Sequence, residues 1–237
     1  MRFGAAEGWN GEGVVMVGVG NTAEVFDYGE GKVCKLFYQG YPKEAVEREF
    51  RNATEVHRQG LLVPKVFELV ESEGRTGIVY EKIVGKSMLE CILENPEKVV
   101  FYLEEFVRLQ KKWLKEVVVQ ASSALSYKEY LQMLINGVGQ EEASLLEEIN
   151  GLPEGDTLLH GDFHPGNVLI STEHRPIVID FMNVCRGPAL YDIARTYFLL
   201  HEKDEAFGRA YLAKMEVSEE EIEPFYKVIE RCRKYER

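Results

Sequence analysis

The hydrophobic pattern changes character near one third of the way along the chain. Before that point, short β-rich runs (Val14 to Val19, Thr22 to Tyr28, Lys32 to Tyr38) are separated by glycine-containing turns, and Tyr28-Gly-Glu-Gly-Lys32 suits a hairpin. The spacing predicts a helix from Lys43 to Gln59, stopped by Gly60. Two more strands, Lys65 to Glu71 and Thr76 to Ile83, bracket a polar turn, giving five strands with one helix inserted after the third. From Lys86 onward the period is helical: Val99, Leu103, Phe106, Trp113 and Val117 recur on one face of Pro96 to Val119. Shorter helices are predicted over Tyr127 to Ile135 and Glu141 to Ile149. Asp156 to Arg186 differs again, with strands at Val168 to Ile170 and Ile177 to Ile179; helices return over Ala189 to Leu200, Glu205 to Met215 and Glu219 to Tyr235. The expected architecture is α+β with a boundary near Gly85: a strand-rich part, residues 1–84, and a mainly helical part, residues 85–237.

Composition narrows the class. With 237 residues, 45% apolar and 29% charged, the chain can build one large domain or two small lobes. Its start lacks the apolar core of a signal peptide, and no apolar run is long enough to span a bilayer. Cys34, Cys91, Cys185 and Cys232 are scattered with no CxxC pair, which argues against a disulfide framework or zinc site and leads us to expect a cytoplasmic protein without a membrane partner. The net charge of −12 argues against nucleic acid, whose phosphates need clustered Lys and Arg. An acidic protein suits a cationic substrate, although many soluble proteins are acidic without one.

The chemistry concentrates in Leu158 to Ile170, LLHGDFHPGNVLI, where an apolar pair enters a turn dense in polar groups and an apolar strand leaves it. Asp162 and Asn167 stand on that turn, and Asp180 ends the next strand. Phosphoryl transfer needs an oriented hydroxyl and cations that absorb phosphate charge. Magnesium takes hard oxygen ligands, one or two of them from protein. Asn167 and Asp180 offer such ligands, and Asp162 is left to accept the hydroxyl proton. Two other interpretations stay open at this point: His160, Asp162 and His164 as a metal-binding HxDxH cluster, or a plain hairpin connection.

HGDFHPGN followed by IVIDF resembles the aminoglycoside phosphotransferase and choline kinase-like superfamily. The resemblance runs from about Val14 to Leu200 and is most specific over Leu159 to Asp180, with His160-Gly161 where protein kinases carry His-Arg. It implies a bilobal protein-kinase-like fold with an antiparallel five-stranded sheet and one helix in the N-terminal lobe. It implies Asp162 as base, Asn167 and Asp180 on magnesium, ATP or GTP as co-substrate, a small-molecule hydroxyl acceptor, and a His160 that braces the loop without reacting. Gly77 to Met88 looks like a subgroup of small bacterial phosphotransferase-like proteins.

Under the same resemblance the earlier part of the chain acquires roles. Gly18, Gly20 and Asn21 lie in a turn that by itself reads first as a plain hairpin, lacking the third glycine of G-x-G-x-x-G; the resemblance makes it a phosphate cradle, whose glycines let backbone N–H groups approach an anion. Lys35, flanked by apolar neighbours, faces either water or a nucleotide; the resemblance assigns it to the α- and β-phosphates. Its partner should be a Glu of the next helix. Val46, Phe50, Ala53 and Val56 define an apolar arc that contains Glu49 and excludes Glu47, and a charge on a packed face needs a partner, which selects Glu49. Tyr80 to Gly85 would be the hinge, with main chain near Lys82 and Ile83 meeting the adenine. Asp192 would brace the catalytic loop or pair with Arg195.

After Asp180 the chain reads Phe-Met-Asn-Val, without the protein-kinase DFG glycine, and no Ala-Pro-Glu follows, which argues against a protein kinase. The segments expected to build the acceptor pocket, Val119 to Leu158 and beyond Leu200, are short and carry Glu141, Glu142, Glu147, Glu148, Asp156 and Glu219 to Glu221. The alternative is a catalytically silent nucleotide-binding module, whose mark would be loss of the base, a metal ligand or the strand Lys; all are present.

Overall fold

Alternating apolar residues and well-placed turns build the first part as strands. In a computed structural model that describes residues 3–5, 15–116, 124–135 and 141–236, these are β1 (Phe3–Ala5), β2 (Met16–Val19), β3 (Ala23–Gly29), β4 (Lys32–Phe37), α1 (Lys43–Arg58), β5 (Val66–Ser72), β6 (Arg75–Glu81) and β7 (Gly85–Ser87). Then follow α2 (Met88–Glu94), α3 (Val99–Glu116), α4 (Tyr127–Ile135), α5 (Glu141–Gly151), β8 (Thr157–Leu159), β9 (Val168–Ser171), β10 (Pro176–Val178), β11 (Cys185–Gly187), α6 (Ala189–His201), α7 (Glu205–Met215) and α8 (Glu219–Cys232). Val14 and Val117 to Val119, expected to extend a strand and a helix, lie outside the described residues.

The chain forms two compact units, one from the described residues up to Lys86 together with Leu169–Met182, the other from Ser87–Val168 and the described residues from Asn183 onward. In the first unit β2 to β6 form the expected antiparallel sheet, in the order β5-β6-β4-β3-β2. A sixth strand, β1, was not expected; it lies on the far edge, parallel to β5, with Phe3 opposite Leu69. Three residues are too few for a period to show. Cys34, Leu36, Val70 and Val79 fill one side of the sheet beneath Phe26 and Tyr28. α1 covers β5 and β6, burying Val46, Ala53 and Val56.

The segment carrying Asp180 belongs to this first unit, whereas the expected division at Gly85 grouped it with the helical part. The physical reason is backbone pairing. The Thr172 amide donates to the Val84 carbonyl at 3.0 Å, and the Val178 amide donates to the Leu62 carbonyl at 2.9 Å. A side chain at Gly85 would place its Cβ 2.1 Å from the Ile170 carbonyl oxygen, so this approach requires glycine.

In the second unit α6 is central. It packs against α7 and α8 and is buried along almost its whole length, while α3 lies on α7 and β8. β8 and β11 pair antiparallel, Leu159 opposite Cys185, and hold the two ends of the polar segment that follows Leu159. Trp113 on α3 donates its indole N–H to the Leu158 carbonyl at 3.0 Å, tying the helix to that strand.

Candidate active site

In the first unit the structure gathers three predicted residues from distant parts of the chain. Lys35 Nζ, on β4, lies 2.8 and 3.0 Å from the Glu49 carboxylate oxygens and 2.9 Å from Asp180 Oδ1. Glu49 is fully buried on the inner face of α1. Burial pulls the Lys35 amine down, but Asp180 and Glu49 outweigh it and hold the amine above its ordinary range. Burial pushes the Glu49 carboxyl up, and Lys35 and the Tyr80 hydroxyl, which donates to Glu49 Oε1 at 3.0 Å, pull the other way. Asp180 itself sits in the left-handed region, at φ 69°, a conformation that stores strain in a residue other than glycine. Asn52 holds the next peptide, donating from Nδ2 to the Phe181 carbonyl at 3.0 Å. Neither the Tyr80 contact, at a residue expected only to begin the hinge, nor that of Asn52 was foreseen. Both are polar groups on otherwise buried faces, the same property that singled out Glu49.

The second unit holds Asp162 and Asn167 on one loop. Asn167 Nδ2 donates to the Asp162 carbonyl at 2.9 Å and to Asp162 Oδ2 at 3.2 Å. With its amide nitrogen turned to Asp162, Asn167 presents Oδ1 as the atom for a cation. The rest of the loop is clamped. His160 is buried between the rings of Trp113 and Phe163, and its Nδ1 accepts from the Asp162 amide at 3.3 Å. His164 Nδ1 accepts from the Gly166 amide at 3.1 Å and caps the 3-10 turn Pro165–Asn167. Both imidazoles thus turn Nδ1 onto the loop's own backbone, and no cluster of three or more His, Cys, Asp or Glu suited to a metal occurs among the described residues. Gly161 has φ +75°, and a Cβ there would sit 2.3 Å from the Asn183 carbonyl oxygen. The arginine that protein kinases carry at this point has no room here.

Asp192 is fully buried on α6 and accepts from the Gly161 amide at 2.7 Å and from Gln110 Nε2 at 3.1 Å. Gln110 in turn donates to Thr196 Oγ1 at 2.9 Å and accepts from the Tyr211 hydroxyl at 2.7 Å. Burial pushes the Asp192 carboxyl up, opposed first by the Gly161 amide. The Asp192–Arg195 pair weighed from the sequence does not form; Arg195 pairs with Glu236 instead, at 2.8 Å.

Two predicted contact regions carry internal bonds that restrict their use. The Gly20 amide donates to the Ala23 carbonyl at 2.8 Å, and the Gly20 carbonyl accepts from the Tyr38 hydroxyl at 3.0 Å, so Gly20 shapes a tight turn between β2 and β3. Gly18 lies within β2, beside a register shift, and Asn21 is exposed at the turn. The Lys82 amide donates to the Gly31 carbonyl at 2.8 Å, and the Lys82 amine is paired with Asp27. That amide is therefore not available to a base. Four of the eight acidic residues expected around an acceptor pocket are engaged elsewhere. Glu148 pairs with Arg231 at 2.5 Å, Glu221 caps α8, Glu219 accepts from the Tyr197 hydroxyl at 3.1 Å, and Asp156 lies 3.7 Å from Arg186. The side chains of Glu141 and Glu142 lie outside the described residues.

Comparison with known proteins decides the family. The phosphotransferase enzyme family (APH) is matched over residues 102–225, more than half of the chain. The chain belongs to that family. As a member of the phosphotransferase enzyme family it is a phosphotransferase acting on a hydroxyl group. Among solved structures, an aminoglycoside-3'-phosphotransferase of type VIII superposes with a TM-score of 0.65 at 20% identity, over 92% of this chain and 93% of that one. APH(3'')-Id from Streptomyces rimosus, solved with ADP and streptomycin, gives 0.64 at 14% identity, over 96% and 94%. APH(2")-IIia, solved with GDP and kanamycin, gives 0.63 at 15% identity, over 94% and 84%. These identities make the likeness one of fold, the bilobal kinase-like fold of this phosphotransferase family. No curated protein matches the sequence. Among the described residues no helix is long and apolar enough to cross a membrane.

Proposed function

We propose that this phosphotransferase moves the terminal phosphoryl group of ATP or GTP to the hydroxyl of a small molecule. The observation that carries the proposal is the fastening of Lys35 by Glu49 and Asp180, groups that lie 14 and 145 residues away in sequence. A buried cation with two carboxylates is over-provided for by charge alone. The surplus suits a lysine that hands one partner's position to phosphate while Glu49 keeps it oriented. In this assignment Lys35 binds the α- and β-phosphates, the turn of Gly18, Gly20 and Asn21 covers them, and main chain towards Lys82 and Ile83 meets the base. Residues 1–84 form the nucleotide-binding part, joined by the segment that carries Asp180; the remainder of residues 85–237 forms the catalytic and acceptor-binding part.

Asp162 takes the proton of the attacking hydroxyl, and its contact with Asn167 fixes its orientation. Asn167 Oδ1 and the Asp180 carboxylate are hard oxygen donors of the kind magnesium prefers, and we assign them to it. Magnesium, when bound, supplies charge compensation for the triphosphate. Solved neighbours contain either ADP or GDP, which supports both nucleotides as donors. The expectation of a cationic acceptor rests on the net charge of −12, since Glu148, Asp156, Glu219 and Glu221, four of the eight carboxylates singled out for it, serve a helix cap, ion pairs or a hydrogen bond.

The test is a coupled ADP- or GDP-release screen across aminoglycosides, amino alcohols, hydroxyl amino acids and sugars, with each nucleotide in turn. Acceptor-dependent release that disappears in Asp162→Asn is the expected result. Tight Mg-nucleotide binding with no release under any acceptor would favour the silent module.

A further inference from the structure

The Arg195 side chain is 5% exposed, and a guanidinium that deep needs an anion. Among the described residues two carboxylates are within reach. Glu236, 41 residues away in sequence, takes it in a two-pronged pair, Oε1 to one terminal nitrogen at 2.8 Å and Oε2 to the other at 2.9 Å. Asp162 Oδ1 lies 3.9 Å from the same Arg195 nitrogen that Glu236 Oε2 holds. That is beyond hydrogen-bonding distance yet well within electrostatic reach. Glu236 is itself secured by Arg233, at 2.9 Å, and Arg233 is tied to Glu202 at 3.1 Å. Arg195 Nε points at the Gly161 carbonyl, 3.3 Å away. α6 therefore grips one residue of the loop on both sides, Asp192 at the amide of Gly161 and Arg195 at its carbonyl.

We propose that Glu236 is a positioning residue for the phosphoryl-transfer site: it occupies the fork of Arg195 and so keeps that cation from closing on Asp162. The proposal rests on Asp162 being the base. Arginine forms its strongest pairs with both prongs on one carboxylate, and the two carboxylates compete for the same nitrogen. If Asp162 won, its Oδ1 lone pairs would be committed to the guanidinium and withdrawn from the acceptor hydroxyl. With Glu236 in place, Arg195 keeps the loop peptide anchored through Gly161 and stays one short step from the base. Glu236 thus acts on Asp162 only through Arg195, which separates this role from simple stapling of the chain.

The experiment compares wild type with Glu236→Gln, Glu236→Asp and the double variant Arg195→Gln/Glu236→Gln. Crystal structures give the distance from Arg195 to Asp162 Oδ1. Steady-state ATP hydrolysis, with water as acceptor, gives kcat and KM. Calorimetry gives Mg-ATP affinity, and thermal melting reports folding. In Glu236→Gln the 3.9 Å separation should shorten to a hydrogen bond. Turnover should fall about 10-fold or more, part of the usual contribution of a general base, with KM and Mg-ATP affinity within about twofold. Glu236→Asp should restore most of the turnover. The double variant, lacking the cation, should exceed Glu236→Gln. A purely structural role would lower the melting temperature and leave the distance unchanged. An Arg195 that stays in place in Glu236→Gln, or a double variant no better than the single one, overturns the proposal. The distance reads the proposal even if Glu236→Gln is inactive for another reason, and Glu236→Asp with the double variant serves if Glu236→Gln does not fold. Asp162→Asn is assayed alongside: wild-type hydrolysis by that variant would refute Asp162 as base, whereas movement of Arg195 would still be seen crystallographically.

Discussion

Replacing Asp192 probes whether the loop that carries Gly161 and Asp162 is held by geometry or by charge. Asp192→Ala removes the acceptor of the Gly161 amide, at 2.7 Å, and of one Gln110 N–H, at 3.1 Å, in a fully buried place. Each stranded donor costs about 1–3 kcal/mol, so the variant should lose about 2–6 kcal/mol. For a chain of this size about 1 kcal/mol corresponds to about 2–4 °C, which gives a fall in melting temperature of about 4–24 °C. Asp192→Asn differs. Its Oδ1 keeps the Gly161 amide, and its new NH2 faces the amine end of Gln110. Gln110 can turn end for end, because the Thr196 and Tyr211 hydroxyls on its two sides rotate to donate or accept. The loss is then the difference between a charged and a neutral hydrogen bond, about 1 kcal/mol. That loss is offset, because burial pushes the Asp192 carboxyl up against its hydrogen bonds and the neutral amide escapes that cost. A folded pKa above the unfolded value means a stability contribution present at low pH and lost as pH rises through the folded value. Wild type should therefore gain on Asp192→Asn as pH is lowered. Thermal melts of both variants across pH, followed by circular dichroism, test this. An Asp192→Ala melt within about 1 °C of wild type, or an Asp192→Asn melt as low as that of the alanine variant, would refute the reasoning.

Three other outcomes follow from the same geometry. Lys35→Ala should weaken Mg-nucleotide binding at least about 10-fold, about 1.4 kcal/mol, and leave Glu49 buried without its cation. Because burial already pushes Glu49 up, the stability deficit of Lys35→Ala should be larger at pH 8 than at pH 5.5, and a pH-independent deficit in urea titrations would count against the pair. Asp180→Ala should impair both Mg-nucleotide affinity and transfer, whereas Asp162→Asn should leave affinity nearly intact and lower turnover about 10²–10⁴-fold; calorimetry beside kinetics showing the reverse pattern would exchange the two roles. Gly161→Ala meets the Asn183 carbonyl at 2.3 Å with φ at +75°, so the loop must shift, and turnover should drop even where melting shows a folded protein; unchanged kinetics would mean that the loop tolerates the shift.

Much of the architecture was legible because amphipathic periods are local. α4 and α7 span the expected residues, Tyr127–Ile135 and Glu205–Met215, and α1 and α6 differ from expectation by one residue at one end. Elements too short to carry a period escaped: β1, β7, β8 and β11, each of three residues. Such strands exist only because a distant partner pairs with them. α2 was passed over although Ser87 and Glu90 form a capping box that the sequence spells out.

For the candidate site, the sequence singled out the residues to which a chemistry can be assigned. Asp162, Asn167 and Asp180 were legible because phosphoryl transfer restricts ligand types and loop spacing, and Glu49 because a carboxylate on an apolar helix face must find a cation. Tertiary structure decided what those residues touch. That Asp180 joins the strand-rich unit, that Lys35 takes two carboxylates, that Asp192 holds Gly161 rather than Arg195, and that Glu236 claims Arg195 all depend on hydrogen bonds between residues far apart in the chain. A local pattern records which face of an element is buried. Which of several complementary groups meet there depends on how elements distant in sequence pack, and a buried charge settles on whichever partner that packing brings within hydrogen-bonding distance.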